Sequence, residues 1–218
     1  QVPVIKSLKA DDMINLIKRS VARIADNPAL FTLLRRILEN NFCGEKKVLR
    51  RELPVPGGQS ILDVGCGTGE FAPLFEAARY TGIDLHERYI AYASKRHPGY
   101  TFQVMDACQL EFPDQSFENV LVLGILHHLP EEIARQVLGE VRRILKPAGT
   151  VVIIEDVPTR SWFNLIGHLI HWLDLGSHIR EQAHYQQLIE PFLQVQETCP
   201  IRSGVCDYQV FVCQPLQD

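Results

Sequence analysis

The stretch Ile61-Leu62-Asp63-Val64-Gly65-Cys66-Gly67-Thr68-Gly69-Glu70-Phe71 constrains this chain more than any other part of it. Four residues of buried-strand character run into three alternating glycines, and the pattern beyond them predicts a helix over 70–78. A strand that stops in glycines and restarts as a helix presents free backbone N–H groups, with no Cβ to keep a ligand away. That arrangement is a cofactor-binding turn.

The spacing of the glycines selects among cofactors. The dinucleotide fingerprint G-x-G-x-x-G requires glycine at its sixth position, where this chain has Glu70, and the third glycine arrives one residue early at Gly69. Glu70 also sets an anionic side chain beside any pyrophosphate, so a ligand without phosphate suits the loop better. On these residues the stretch resembles motif I of the class I S-adenosylmethionine-dependent methyltransferases. Its form D-x-G-x-G-x-G is met in full by Asp63, Gly65, Gly67 and Gly69.

From residue 59 onward strands alternate with helices. Strands are expected over 60–64, 80–85, 100–105, 117–123 and 150–155, and further helices over 87–96 and 130–145. This alternation implies right-handed crossovers and a parallel sheet covered on both faces, a doubly wound α/β fold. Two more strands, over 192–198 and 207–213, complete a mostly parallel seven-stranded sheet, the Rossmann-like fold that the resemblance implies. Residues 1–57 read instead as a helical extension, and 58–218 as the cofactor-binding domain. In the extension, Met13, Ile14, Leu16, Ile17, Val21 and Ile24 fall at near-helical spacing, Asn27-Pro28 interrupts, and a second helix follows over 29–41. Pro54-Val55-Pro56-Gly57-Gly58 marks the boundary. These helices either pack on the domain or close over a substrate. The basic run Lys46, Lys47, Arg50 and Arg51 reads as a solvated helix face.

Ligands of such sheets bind beyond the carboxyl ends of the strands. The second strand ends in Asp84 and Leu85, about 20 residues beyond Gly65, where a carboxylate accepts from ribose hydroxyls. After the third come Asp106 and Ala107; an aspartate there accepts from the adenine amine or caps a helix. At the fourth strand end, Gly124 admits a ligand close to the backbone and Ile125 walls it. The resemblance implies cofactor contacts at these residues and at Asp63, Gly65, Cys66, Gly67 and Gly69. It covers about 100 of the 218 residues and extends to the Leu126-His127-His128-Leu129 segment.

His127 and His128 are candidates for a general base, with His171, His178 and His184 as alternatives. His168 and His171 share a helix face, but no carboxylate stands at fitting spacing on it, so no metal site is expected. The six cysteines form no C-x-x-C pair; Cys199, Cys206 and Cys213 read as buried thiols on strands.

The resemblance implies transfer of a methyl group from S-adenosylmethionine in one displacement. Lys and Arg number 22 against 26 Asp and Glu, a net charge of -4 that builds no field for nucleic acid. Neither the N/D-P-P-Y segment of amino-methylating nucleic-acid enzymes nor a paired-glutamate loop is present. The expected acceptor is therefore a small, partly apolar molecule. A nicotinamide-dependent oxidoreductase, a cofactor-binding module without activity and an aminopropyl transferase are the rival readings. The apolar run over 162–173 is too short to span a bilayer and carries no Lys or Arg, so a core or lid helix is expected. With neither a signal-peptide pattern nor a run of 18 apolar residues, a reducing cytoplasm is expected, and a monomer or homodimer without stable membrane insertion but with peripheral contact open.

Overall fold

The computed structural model describes residues 26–53, 58–168 and 178–216. Seven strands form one sheet: β1 (Ile61–Val64), β2 (Tyr80–Asp84), β3 (Thr101–Val104), β4 (Phe117–Leu123), β5 (Leu145–Asp156), β6 (Leu193–Ser203) and β7 (Cys206–Pro215). Their order is β3-β2-β1-β4-β5-β7-β6. The first five run parallel, and the hairpin of β6 and β7 closes the edge antiparallel to β5. The order reverses between β1 and β4, where Val64 pairs with Val122. Gly65 and Gly124 thus leave neighbouring strands at the topological switch point.

Among the described residues five helices cover the sheet: α1 (Pro28–Leu38), α2 (Cys43–Glu52), α3 (Glu87–Arg96), α4 (Glu131–Ile144) and α5 (Gln182–Ile189). On one face Leu62, Val64, Val120 and Val122 pack with Val137, Leu138 and Val141 of α4 and Leu188 of α5. On the other face Leu121, Leu123, Val152, Ile154 and Tyr208 pack with Val48 and Leu49 of α2 and with Phe71 and Phe75. Strand alternation therefore sends Val151 and Ile153 to the α4 side, and Val152 and Ile154 to the α2 side. Glu155 and Asp156 divide between the two faces in the same way.

Four local expectations give way in the structure. The helix over 70–78 is absent; two 3₁₀ turns, Ala72–Leu74 and Ala77–Arg79, take its place. Pro73 supplies no N–H, and Phe75 is extended at φ -121° and ψ 162°, which stacks its ring on Tyr80 with centroids 6.0 Å apart. Pro28 does not merely break the pattern: it occupies the first turn of α1 while Asn27 caps the N–H groups of Ala29 and Leu30. That helix ends at Leu38, because Asn40, Asn41 and Phe42 all take positive φ and drive the Phe42 ring into the core. The fifth strand begins at Leu145, five residues early, with an irregularity in register between Phe117 and Asn119.

The apolar run beginning at Trp162 does not pack as a core helix over its described part. Trp162, Phe163 and Leu165 are each about three-quarters exposed. The expected helix over residues 13–24, the boundary residues 54–57, and His171 lie outside the described residues. Among the described residues no helix is long and apolar enough to cross a membrane.

Candidate functional site

Gly65, Gly67 and Gly69 all take left-handed φ, at +74°, +53° and +70°. The turn is anchored from β2, whose Ile83 carbonyl accepts from the N–H groups of both Gly65 and Cys66 at 2.8 Å. A Cβ at Gly65 would stand 2.1 Å from Ile125 Cγ2, so glycine lets the loops after β1 and β4 touch. A Cβ at Gly67 would meet nothing closer than Tyr89 Cδ2 at 4.0 Å. The backbone is bare there because the loop faces open space.

Among the described residues no α-helix follows this loop before β2, which corrects the expectation of a helix N-terminus opening at Glu70. The loop is braced by Asp84 instead. Asp84 Oδ2 accepts from Gly67 N at 2.9 Å and Oδ1 from His86 N at 2.8 Å. Each oxygen keeps a second lone pair for a ligand hydroxyl. Asp63 lies inside, 1% exposed, and accepts from the Tyr80 hydroxyl at 2.6 Å. Burial pushes its carboxyl up to about 7 in spite of that bond. Burial likewise pushes the Cys66 thiol up, which keeps it neutral. Leu85 is exposed, as is Asp106, whose carboxylate accepts from Cys108 N at 2.8 Å; Ala107 is half-buried.

The extension supplies the roof. Thr32 of α1 shares a 2.7 Å hydroxyl bond with Thr68, and Phe31 stacks on Tyr89 of α3 at 5.6 Å. Beneath them is a crevice bounded by Phe31, Arg35, Phe42, Gly65, Gly67 and Leu123. Glu70, 9% exposed, fastens the roof: Arg36 of α1, Lys46 of α2 and Arg96 of α3 reach it at 2.9, 3.1 and 3.2 Å. Lys46 is therefore an inward tether and not part of a solvated face.

A second cluster organises the fourth strand end. Glu155, fully buried, accepts from the N–H groups of Ile125, Leu126 and His127 and from His127 Nδ1 at 2.8 Å. Arg180 is 6% exposed, and its guanidinium holds the carbonyls of Leu126, Leu129 and His178. Of the histidines, His127 is buried, with its ring 4.0 Å from that of His128, and His178 N donates to the His127 carbonyl at 3.0 Å. His184 sits apart on the surface beside Glu131. Cys199, Cys206 and Cys213 fall at separate registers of the hairpin. Among the described residues no group of acids, histidines and cysteines is arranged to hold a metal ion.

Sequence reading passed over Glu155, Asp156 and Arg180. The first two end β5, where the same strand-end rule that finds Asp84 and Asp106 would have found them. Arg180 carried no local signal, since two of its three carbonyl partners are 51 and 54 residues away.

Three left-handed glycines at the switch point, a bare backbone at Gly67 and acids at the next two strand ends fit an adenosine-bearing cofactor without phosphate. With the strand order, they are similar to the corresponding features of the class I S-adenosylmethionine-dependent methyltransferases. Residues 61–149 match the family model described as a methyltransferase domain. Over 110 residues the chain is 34% identical to 27-O-demethylrifamycin SV methyltransferase of Amycolatopsis mediterranei, covering 46% of this chain and 40% of that one. Over 109 residues it is 37% identical to the ubiquinone/menaquinone biosynthesis C-methyltransferase of Desulfotalea psychrophila, covering 47% and 44%. The chain thus spans less than half the length of these two relatives. The geranyl diphosphate C-methyltransferase of Streptomyces coelicolor, solved with S-adenosyl-L-homocysteine, shares the fold at TM-score 0.62 and 13% identity, over 79% of this chain and 77% of that one.

Proposed function

We propose that this chain transfers a methyl group from S-adenosylmethionine to a small, partly apolar molecule by in-line displacement. The observation that carries the reading is the glycine loop facing a crevice roofed by Phe31 and Phe42. When bound, the cofactor supplies a methyl carbon already activated by its positive sulfur, so the protein's task is to orient and to exclude water. Gly65, Gly67 and Gly69 let the backbone approach it, with Asp63 and Cys66 beneath. Asp84 offers its remaining lone pairs to the ribose hydroxyls, Asp106 accepts from the adenine amine, and Leu85, Ala107, Gly124 and Ile125 form the surrounding wall. The relatives' names include one O-linked and one C-linked product. A small-molecule acceptor suits both these names and a net charge of -4, which gives no field for nucleic acid.

Thermal-shift scans with S-adenosylhomocysteine and with NAD test the cofactor. Stabilisation by the first alone is expected, with the shift much reduced in Asp84→Ala through loss of hydrogen bonds worth roughly 1.5 to 3 kcal/mol. Stabilisation by NAD alone would overturn the reading. Binding without methyl transfer to any of a broad set of acceptors would favour a cofactor-binding module.

A further inference from the structure

We propose that Asp156 is the catalytic base, taking the proton of a phenolic or enolic hydroxyl on the acceptor, and that His127 is the residue that positions it. The proposal rests on the methyl-transfer reading above. β5 ends in two acids that alternation sends to opposite faces. Glu155 is committed to the backbone of residues 125–127. Asp156 lies on the other face, in line with Val152 and Ile154, and Ile154 pairs with Leu123, which lines the crevice. Among the described residues its carboxylate accepts no hydrogen bond and meets His127 Nε2 at 3.6 Å.

The groups around Asp156 leave it available. Across the strand pair stands Tyr208, whose hydroxyl donates to Glu39 at 2.8 Å, and Arg35 spends Nε and an Nη on the same Glu39. Glu39, Glu155, His127, Tyr185 and Cys206 are the other titratable groups around it. Burial pushes the Asp156 carboxyl up to about 7, with His127 pulling the other way. A carboxylate so poised is matched to a proton from a phenol or enol and far too weak a base for an aliphatic alcohol. When protonated, His127 donates Nδ1–H to Glu155 and turns Nε2–H toward the Asp156 carboxylate 3.6 Å away, which is the orientation that holds Asp156 in its ionised, proton-accepting form. In the step itself the acceptor O–H bond breaks and its proton goes to the Asp156 carboxylate. The oxygen bonds to the methyl carbon as that carbon's bond to sulfur breaks, and the electron pair stays on sulfur.

The test uses Asp156→Asn, Asp156→Glu and His127→Gln in the full chain. All three should bind S-adenosylhomocysteine within about threefold of the parent by calorimetry, which also reports folding. With radiolabelled S-adenosylmethionine, Asp156→Asn should lower kcat/KM for para-cresol by about 100-fold or more. For para-nitrophenol, about half of which is already ionised near neutral pH without a base, the loss should stay under about threefold. Asp156→Glu should recover part of the para-cresol rate. His127→Gln should shift the pH at which that rate rises while leaving KM unchanged. Independently of any acceptor, carbon-detected NMR of the S-adenosylhomocysteine complex should show a carboxyl titrating near neutrality that disappears in Asp156→Asn. Equal losses for both phenols, or no such carboxyl, would overturn the proposal. So would a parent protein that binds the cofactor product but methylates no phenol. Failure to bind S-adenosylhomocysteine at all would remove the methyl-transfer reading itself.

Discussion

Glu45, in the first turn of α2, is fully buried and neither of its carboxyl oxygens has a hydrogen-bond partner among the described residues. The hydroxyl proton of nearby Ser203 is spent on the Glu39 carbonyl at 2.9 Å. Burial, reinforced by the neighbouring Glu39, pushes the Glu45 carboxyl up to about 8. A raised carboxyl contributes stability that is complete below its unfolded value of 4.5 and is lost as pH climbs through about 8. Glu45→Met keeps the length of the side chain and removes two unsatisfied atoms. It is expected to stabilise the protein by about 1 to 3 kcal/mol at pH ~8 and by less at pH ~5, against a few tenths lost at the helix N-terminus. Urea unfolding at the two pH values measures it; a variant less stable than the parent at both would show that Glu45 has a partner.

Glu70 performs the corresponding service between elements, joining α1, α2 and α3 to the glycine loop. Burial alone would raise its carboxyl, but bonds from Arg36 and Lys46 outweigh burial and hold it below 4.5. In Glu70→Gln the three cations lose their common counter-charge, at a cost on the order of 3 kcal/mol. Amide exchange in α1 is expected to accelerate at least tenfold, and S-adenosylhomocysteine to dissociate faster, with the exchange of α4 unchanged. Exchange of α1 at the parental rate would mean that Thr32 and Phe31 hold the roof unaided. The same elements show how far the sequence reaches. The parallel order and the places of Asp84, Asp106 and Gly124 were legible because each follows from a local pattern, a strand ending in a particular residue. The 3₁₀ turns after Gly69 were not, since Phe71 and Phe75 trade helical bonds for burial against Tyr80, a residue of the next strand. Nor was Lys46, which reads as solvated until Glu70 comes 3.1 Å from it across 24 residues of chain.

At the scale of the whole molecule, acids pushed up oppose acids held down. Glu45 near 8, and Asp63 and Asp156 near 7, keep their protons in the folded chain where the unfolded chain has lost them. Their stabilising contribution is intact below about pH 4 and drains away as pH rises to about 8. Glu118 is pushed down to about 2 by its bonds from Lys146 and Ser60, and Glu70 is also lowered. These two contribute above about 4.5, and their contribution is lost as pH falls through their folded values. His97, lowered from 6.5 by burial and by Arg96, opposes the alkaline loss, but as one group against three. Stability is therefore expected to peak near pH ~5 and to fall toward pH ~8, an asymmetry that a surface-charge argument from a net charge of -4 would not produce. Guanidinium unfolding at constant ionic strength from pH ~4 to pH ~8 measures the slope, and combining Glu45→Met with Asp156→Asn should flatten its alkaline limb. A parent whose stability rises across that range would show that the buried acids ionise in the folded chain.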